Sequence, residues 1–386
     1  MSQRLEVVLR AAAGESVRPL CREYGLSPDT VYRWLRQYRV TGPAALADRS
    51  RRPHTSPRQT PPGMEALIAD LRRAHPTWGG RKLHRRLRDL GYDDVPSPST
   101  ITSILRRHGL LDGPGTGGPR AFTRFEHDRP NAFWQMDFKG HVACGNGRCH
   151  PLTVLDDHSR YSVVLRACAD ERTATVRDAL VGAFREHGLP ERIGVDNGSP
   201  WGNGPRDRYT PLVVWLLRLG VPVSHSRPYH PQTLGKDERF HRTLKADVLQ
   251  TPLADLASAQ MRFDRWREVY NGERPHEALG GAVPASRYQP SPQPYPEALP
   301  ELTYEPGDLV RQVQHGGRIS LLGRELRLPK AFRGHPVACR PTEEDGHYAV
   351  VFATVQIAEV DLRAAPRDQP TSVRYVPEHP SDMSPV

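Results

Sequence analysis

The spacing of apolar residues changes once along the chain, and this change most constrains the fold. Up to about residue 111, apolar side chains recur at helical spacing, as in Val31, Leu35 and Tyr38. From Asn131 they alternate along short runs that predict strands, and further along these runs are interleaved with helical segments. The sequence therefore predicts an all-α N-terminal third followed by an α/β domain with a mixed sheet.

Connectors rich in Pro and Gly divide these patterns into domains. At 386 residues the chain exceeds what one hydrophobic core usually serves. The N-terminal third is predicted to comprise a helix-turn-helix domain, a basic Pro-rich linker, a second helical domain and a further linker, over residues 1–40, 41–62, 63–111 and 112–130. The remainder is predicted to comprise an α/β core, a small all-β barrel and a disordered tail, over residues 131–290, 303–363 and 364–386.

The segment YGLSPDTVYRW has the punctuation of a helix-turn-helix unit. Gly25 can end one helix, Ser27 can cap the next, and Pro28 suits its first turn. With its apolar stripe facing inward, the second helix would turn a polar face toward a DNA major groove. DNA contacts are predicted from the residues of that face: Asp29, Thr30, Arg33 and Gln37. A generic helical hairpin would have a similar pattern.

The start of this second helix recurs about seventy residues later. SPDTVYRWLR, from Ser27, is matched by SPSTITSILR, from Ser97, with the same Ser-Pro start followed by Thr and a β-branched residue. Two segments with helical apolar spacing precede the second copy. The sequence therefore predicts a second helical DNA-binding unit.

The net charge of +10 is confined to the first third of the chain. Residues 1–120 contain 21 Lys and Arg against 11 Asp and Glu, whereas residues 121–386 contain 33 of each. This distribution predicts a polyanion-binding module, and double-stranded DNA is the simplest partner. Arg51 and Arg52 lie in the first connector, where an extended arm suits contacts to phosphates or a minor groove. A solubilising surface and a plain solvated linker are the alternatives.

Membrane and disulfide signals are both weak in this sequence. No apolar run approaches the length of about 18 residues that spans a bilayer, and the first residues lack a signal-peptide pattern. The five cysteines are an odd number scattered along the chain, which does not indicate a disulfide framework. We therefore expect a cytoplasmic, nucleoid-associated protein with reduced thiols and no membrane partner.

Three acids of the α/β region occupy positions that propensity does not explain. Asp137 lies within the first strand pattern, Asp196 follows the apolar run RIGV, and Glu238 begins a helix. Carboxylates suit hard cations such as Mg²⁺ or Mn²⁺, and two ions about 3.5–4 Å apart can promote in-line displacement at phosphorus. From spacing alone, three unrelated surface acids remain the alternative.

Several motifs in order resemble one family. The strings FWQMDFKG, LTVLDDHSRY, GVDNGSPWG, SHSRPYHPQTLGKDERFHRTLK and YNGERPHEALGG are similar to the integrase-type core of bacterial insertion-sequence transposases, in the DDE superfamily that includes retroviral integrases. The resemblance implies an RNase H-like core in which Asp137, Asp196 and Glu238 bind two Mg²⁺ or Mn²⁺ ions. It also implies a basic residue seven positions after the Glu, and Lys245 occupies that position.

The resemblance implies a reaction on DNA. Such an enzyme binds the inverted-repeat ends of its element, lets water cleave each 3′ end, and lets the new 3′-OH attack target DNA, working as at least a dimer. Further DNA contacts are predicted from five residues around the helix of Glu238: His230, Gln232, Lys236, Arg242 and Lys245. Trp201 is predicted either to stack on an unpaired base or to pack internally. A DNA-binding regulator with an inactive core and an RNase H-like nuclease are the alternative functions.

Overall fold

The computed structural model describes residues 3–47, 59–111, 126–202, 208–226, 235–363 and 373–376. The chain forms two compact units, residues 1–61 and 62–386. Four residues predicted to contact DNA lie outside the described residues: Arg51, Arg52, His230 and Gln232. Across the described ranges, no helix is both long enough and apolar enough to cross a membrane.

The first unit is a three-helix bundle closed by a short 3-10 turn. Its elements are α1 (Gln3–Ala12), α2 (Val17–Tyr24), α3 (Pro28–Thr41) and the 3-10 turn Gly42–Leu46. Gly25 ends α2 with a φ of 65°, and the Ser27 side chain caps α3 by accepting a hydrogen bond from the Thr30 amide. Val31 and Leu35 face the bundle core. The predicted helix-turn-helix punctuation is therefore confirmed.

The second unit begins with a similar three-helix bundle. Its helices are α4 (Pro62–Ala74), α5 (Gly80–Asp89) and α6 (Pro98–Arg107). Ser97 caps α6 by accepting from the Thr100 amide at 3.3 Å, the same distance that separates Ser27 Oγ from the Thr30 amide. Both caps also place the Ser and Thr hydroxyls 2.9 Å apart. The repeated sequence therefore forms the same local structure twice.

A mixed sheet follows, covered by helices. Its elements are β1 (Trp134–Phe138), β2 (Val142–Cys144), β3 (Gly147–Asp156), β4 (Ser162–Cys168), α7 (Thr173–His187), β5 (Ile193–Val195), α8 (Pro211–Arg218), β6 (Val223–His225), α9 (Gly235–Asp247) and α10 (Leu256–Gly272). The main strand order is β4-β3-β1-β5-β6, and β2 pairs with the first part of β3. Strand β3 pairs antiparallel with both β1 and β4. Strand β5 pairs parallel with both β1 and β6. The predicted mixed sheet is confirmed.

Two apolar clusters hold helices on this sheet. The larger cluster packs Phe184 of α7 and Trp215 of α8 against strand residues such as Trp134. The smaller cluster packs Phe240 of α9 and Phe263 of α10 against other strand residues. Burial of these large side chains fixes α9, which carries the Glu238 motif, on the sheet.

The α4–α6 bundle packs on α10 through ion pairs and apolar contacts. Arg86 of α5 lies 2.6 Å from the Glu273 carboxylate, and Arg81 lies 3.3 Å from Glu277. Val269 of α10 packs against the apolar core of the bundle. Helix α5, which is the most basic helix of this bundle, therefore uses two of its arginines for ion pairs within the protein. The sequence did not predict these ion pairs.

Where the structure describes them, the C-terminal strands form an open sheet, so the predicted barrel is not confirmed. These strands are β7 (Leu309–Gln312), β8 (Arg318–Leu321), β9 (Arg324–Arg327), β10 (Pro336–Pro341), β11 (His347–Phe352), β12 (Val355–Asp361) and β13 (Val373–Tyr375). The sheet order is β13-β12-β11-β10-β7, and β8 and β9 form a separate hairpin. A barrel requires its first and last strands to pair, whereas β7 and β13 are opposite edges here.

The tail prediction is wrong where the structure describes the tail. Residues 373–375 form strand β13, which pairs antiparallel with β12 between Val360 and Ala358. The edge of β12 offers unpaired backbone groups, and a short segment that adds to it satisfies them. The rest of the predicted disordered tail lies outside the described residues.

Candidate active site

Asp137 and Asp196 lie on neighbouring parallel strands. The register of β1 and β5 pairs Trp134 with Ile193 and Gln135 with Gly194. Continuing it by two residues brings Asp137 level with Asp196, at the carboxyl ends of both strands. This edge is where ligands commonly bind in α/β sheets. The structure therefore brings together two of the three predicted metal ligands.

Two donors orient the Asp196 carboxylate. Its Oδ1 accepts a hydrogen bond from the Gly198 amide at 2.8 Å and another from the Trp201 indole N–H. Trp201 is buried, and its ring stacks on Phe138 with centroids 5.5 Å apart. Of the two predicted roles for Trp201, internal packing is the one this structure adopts, and the indole also holds Asp196 in place.

The electrostatic environment of Asp137 favours its protonated form in the absence of a cation. Burial and the neighbouring charge of Asp196 raise the pKa of Asp137 to about 7. The charges of the Asp137 and Asp196 carboxylates repel each other, and a cation bound between them would offset this repulsion. The pair has the charge and the oxygen donors that a divalent ion requires.

Helix α9 has a cationic face and a buried face. Glu238, Arg242 and Lys245 are all exposed, as the spacing of seven residues predicts. The opposite face buries Phe240 and Leu244 in the smaller apolar cluster. Arg242 and Lys245 are therefore accessible to a nucleic-acid backbone.

Asp237, not Glu238, turns inward from this helix. Its side chain is fully buried, and neither carboxylate oxygen has a hydrogen-bond partner among the residues that the structure describes. Burial raises the pKa of Asp237 well above its usual range, and the charges of Asp137 and Asp157 add to that shift. Asp237 is not among the residues predicted from the sequence, although an acid at the start of an apolar helix face is the signal that could have found it.

The three predicted ligands do not all converge in this conformation. Considering only the described ranges, no group of three or more His, Cys, Asp and Glu side chains is arranged to hold a metal ion. The physical reason is helical geometry, since the α9 orientation that directs Asp237 inward leaves its neighbour Glu238 exposed. The assignment of Glu238 as a ligand stays a prediction.

Lys236 already has a protein partner. Its ammonium contacts the carboxylate of Asp157, a side chain that is only 2% exposed. Asp157 also accepts from the Gln135 side chain at 2.9 Å and from the His127 amide at 3.0 Å. Burial lowers the pKa of Lys236 to about 8, although Asp157 opposes that shift. The ammonium of Lys236 is thus held by Asp157 and only partly exposed, and its contact with DNA stays a prediction.

His241 and Thr153 connect α9 to the strand of Asp137. His241 Nε2 lies 2.8 Å from Thr153 Oγ1, and the Thr153 hydroxyl lies 2.9 Å from the Asp137 carbonyl oxygen. Both side chains are buried. Sequence reasoning missed both residues, because the partner of a buried Thr depends on which helix packs over its strand.

The outer face of α3 is rotated slightly from the predicted one. Arg33 is exposed as predicted, but Thr30 and Gln37 are half-buried. Tyr32, which is 55% exposed, and Arg36 join Arg33 on the open surface. The face available to a DNA groove is thus more aromatic and more basic than the sequence indicated.

Family models match the chain in consecutive blocks. A helix-turn-helix domain matches residues 3–54, and a homeodomain-like domain matches residues 30–105. Two integrase core domain models match residues 127–231 and 219–284. The C-terminal domain of IS481 family transposases matches residues 308–368. These matches cover both helical bundles, the mixed sheet and the open C-terminal sheet.

Two relatives come from bacterial insertion elements. An uncharacterized 39.2 kDa protein of insertion element IS476 from Xanthomonas euvesicatoria is 26% identical over 277 residues, 70% of this chain and 71% of the relative. An uncharacterized 31.7 kDa protein of insertion element IS407 from Burkholderia multivorans is 27% identical over 157 residues, 40% of this chain. The matched region spans 54%, about half, of that second relative.

Solved structures give only a distant likeness. The simian T-cell lymphotropic virus intasome, solved in complex with PP2A regulatory subunit B56 gamma, contains a chain with 17% identity and a TM-score of 0.35. That alignment covers 80% of this chain and 96% of the viral chain. A likeness at this level is too low to support a conclusion about function.

Proposed function

We propose that this chain, an insertion-sequence transposase with an integrase-like core, cleaves the 3′ ends of its element and joins them to target DNA. The observation that carries the proposal is the placement of Asp137 beside Asp196 at the ends of neighbouring parallel strands. The matching family models and the insertion-element relatives support the same activity.

The residues at the site fit a divalent cation. Asp137 and Asp196 supply adjacent carboxylates, and the repulsion between them contributes to the raised pKa of Asp137. The Asp237 carboxylate, which has no hydrogen-bond partner among the described residues, lies close enough to Asp137 for its pKa to be raised by that charge. We propose that Asp137, Asp196 and Glu238 hold two Mg²⁺ or Mn²⁺ ions, which would activate the attacking oxygen and stabilise the leaving oxygen.

The protein residues would orient and bind DNA around this site. The Gly198 amide and the Trp201 indole fix Asp196, so its carboxylate is held in place before substrate arrives. Exposed Arg242 and Lys245 are placed to bind phosphates beside Glu238. Attack by water and then by a DNA 3′-OH requires no covalent intermediate with the protein.

The two helical bundles are proposed to recognise the element ends. Each presents a capped helix, α3 and α6, whose exposed face includes basic side chains such as Arg33 and Arg106. Because two ends must be joined together, we propose that the active complex contains at least two copies of the chain. The protein would then work on the nucleoid in the cytoplasm.

Cleavage of element ends tests this function. The full-length chain is incubated with duplexes that carry the terminal repeats flanking its gene, with Mg²⁺, with Mn²⁺ or with EDTA. We expect specific nicks at the 3′ ends and joined products with plasmid DNA in either metal, and neither product in EDTA. Specific binding without cleavage would favour a DNA-binding regulator, and cleavage of RNA–DNA hybrids alone would favour a nuclease.

Lys245→Ala is expected to weaken DNA binding in a salt-dependent way. Each phosphate contact releases counterions, so log K falls as log salt rises. The loss of one phosphate contact should make this negative slope shallower by about 0.9. Binding to end DNA is measured between low and moderate salt for the parent, for Lys245→Ala and for the control Arg172→Ala. Arg172 is exposed at the N-cap of α7, on an element other than α9. An unchanged slope for Lys245→Ala would remove Lys245 from the DNA-binding surface.

A further inference from the structure

A buried polar connection joins the helix of Glu238 to the strand of Asp137. Thr153 stands opposite Asp137 in the antiparallel register of β1 and β3. Its hydroxyl is 2.9 Å from the Asp137 carbonyl oxygen, and His241 Nε2 of α9 is 2.8 Å from the same hydroxyl. Thr153 is fully buried and His241 is 7% exposed, so water does not compete for these groups.

The donor inventory fixes the direction of both hydrogen bonds. A carbonyl oxygen only accepts, so Thr153 must give its single hydroxyl proton to Asp137. Thr153 Oγ1 then accepts from His241, and Nε2 must carry a proton.

This tautomer also suits the neighbourhood of Asp137. His241 Nδ1 lies 3.9 Å from Asp137 Oδ2, too far for a hydrogen bond. The imidazole therefore lies beside Asp137 without a hydrogen bond to its carboxylate.

Apolar packing alone does not determine the rotation of α9. Phe240 and Leu244 bury the helix against the sheet, but such contacts are non-directional and tolerate small rotations or shifts. A hydrogen bond to a strand hydroxyl is directional, and His241 lies about one turn from Glu238 on the same helix. A change in this bond would move Glu238 relative to Asp137.

We propose that Thr153 and His241 are positioning residues for the active site, whose hydrogen bond sets the orientation of α9 and so the placement of Glu238 relative to Asp137. The inference rests on the proposed function, because it assumes that both carboxylates serve one reaction. Neither residue is proposed to touch substrate.

Thr153→Val and Thr153→Ser form the matched pair that tests this inference. Val keeps the size of Thr but removes the hydroxyl, whereas Ser keeps the hydroxyl. Removing a group that orients a metal ligand typically costs ~10- to 100-fold in metal affinity or activity, and we expect a loss in this range for Thr153→Val. Thr153→Ser should recover most of it. Mn²⁺ affinity is measured by electron paramagnetic resonance on the full-length protein, and kcat and KM are measured on end DNA.

His241 gives a second, independent pair. His241→Gln can still donate to Thr153 from its side-chain amide, whereas His241→Phe cannot. We expect His241→Phe to match the loss in Thr153→Val, and the double variant to lose no more than the worse single variant, since both remove one bond. This pair also serves if Thr153→Val fails to fold cooperatively.

The outcomes separate this inference from the proposed function. Parent-like Mn²⁺ affinity and kcat in Thr153→Val and His241→Phe would overturn it, as would equal losses in Thr153→Ser and Thr153→Val. An increase in KM with unchanged kcat would also overturn it, because misplaced carboxylates should lower kcat. A parent that binds Mn²⁺ but cleaves no DNA would contradict the proposed function, while the Mn²⁺ comparison would still test the positioning role.

Discussion

Asp137→Asn, Asp196→Asn and Glu238→Gln are each expected to reduce end cleavage by about a thousandfold or more. Each change keeps the side-chain size but removes a negative charge that would hold a divalent ion. Such ions contribute several kcal/mol of transition-state stabilisation, and about 4 kcal/mol corresponds to a thousandfold in rate. The rate of 3′-end cleavage is measured in saturating Mg²⁺, and binding to the same duplex is measured in EDTA.

Binding to element ends should persist in all three variants, since the proposed recognition helices α3 and α6 are unchanged. The control is Asp178→Asn, which removes an exposed acid from α7 and should cleave like the parent. Full activity in any of the three variants would remove that residue from the site. Activity in Glu238→Gln together with none in Asp237→Asn would identify Asp237 as the third ligand.

Asp237→Asn is expected to stabilise the protein at pH 8 in EDTA. Burial, with Asp137 and Asp157 adding to it, raises the folded-state pKa of Asp237 well above the unfolded value of about 3.9. A raised pKa means that stability is fully present below the unfolded value and is lost as pH rises toward the folded value. Asn cannot ionise, so the variant should avoid the cost of the shifted titration, which grows by about 1.4 kcal/mol for each pH unit above the unfolded pKa until the folded pKa is reached.

The sign of the effect can be checked by its pH dependence. Urea unfolding of the parent and Asp237→Asn is compared at pH 4, 6 and 8, and the stability difference should be largest at pH 8 and vanish near pH 4. Asp178→Asn, an exposed change of the same chemistry, should show no such trend. A variant that is less stable than the parent at every pH would mean that the Asp237 carboxylate has a favourable partner when folded.

Stabilisation by metal extends this comparison to the site. A cation that interacts with Asp237 would add more stability to the parent than to Asp237→Asn, because binding to the folded state shifts the unfolding equilibrium. Equal gains in Mg²⁺ would indicate that Asp237 lies beside the metal site without contributing to it.

Local sequence signals were reliable where local physics decides the structure. Ser27 and Ser97 cap their helices with the same geometry, because a cap depends only on residues three positions apart. Asp137 and Asp196 lie at adjacent strand ends, as their positions within and after strand patterns indicated. The order of strands and helices that predicts a mixed sheet is likewise visible in the chain itself.

Signals that depend on distant partners were less reliable. The C-terminal strands were individually recognisable, but whether β7 meets β13 is decided by pairing across more than fifty residues, and those strands form opposite edges. The acidic pair Glu273 and Glu277 gave no sign that it would hold Arg86 and Arg81 of the second bundle. A helix can have a basic face without showing whether its partner is DNA or protein.

The sequence by itself determined the helices and strands, their order, the two capped helices and the pair Asp137 and Asp196. Each of these follows from periodicity or from contacts within a few residues. Only the tertiary structure decided that Asp237 is buried within range of the Asp137 charge, that Glu238 is exposed, and that Thr153 and His241 connect α9 to β1. A helix pattern defines which residues share a face, but the rotation of that face over the sheet depends on contacts between segments far apart in the chain, both apolar packing and hydrogen bonds.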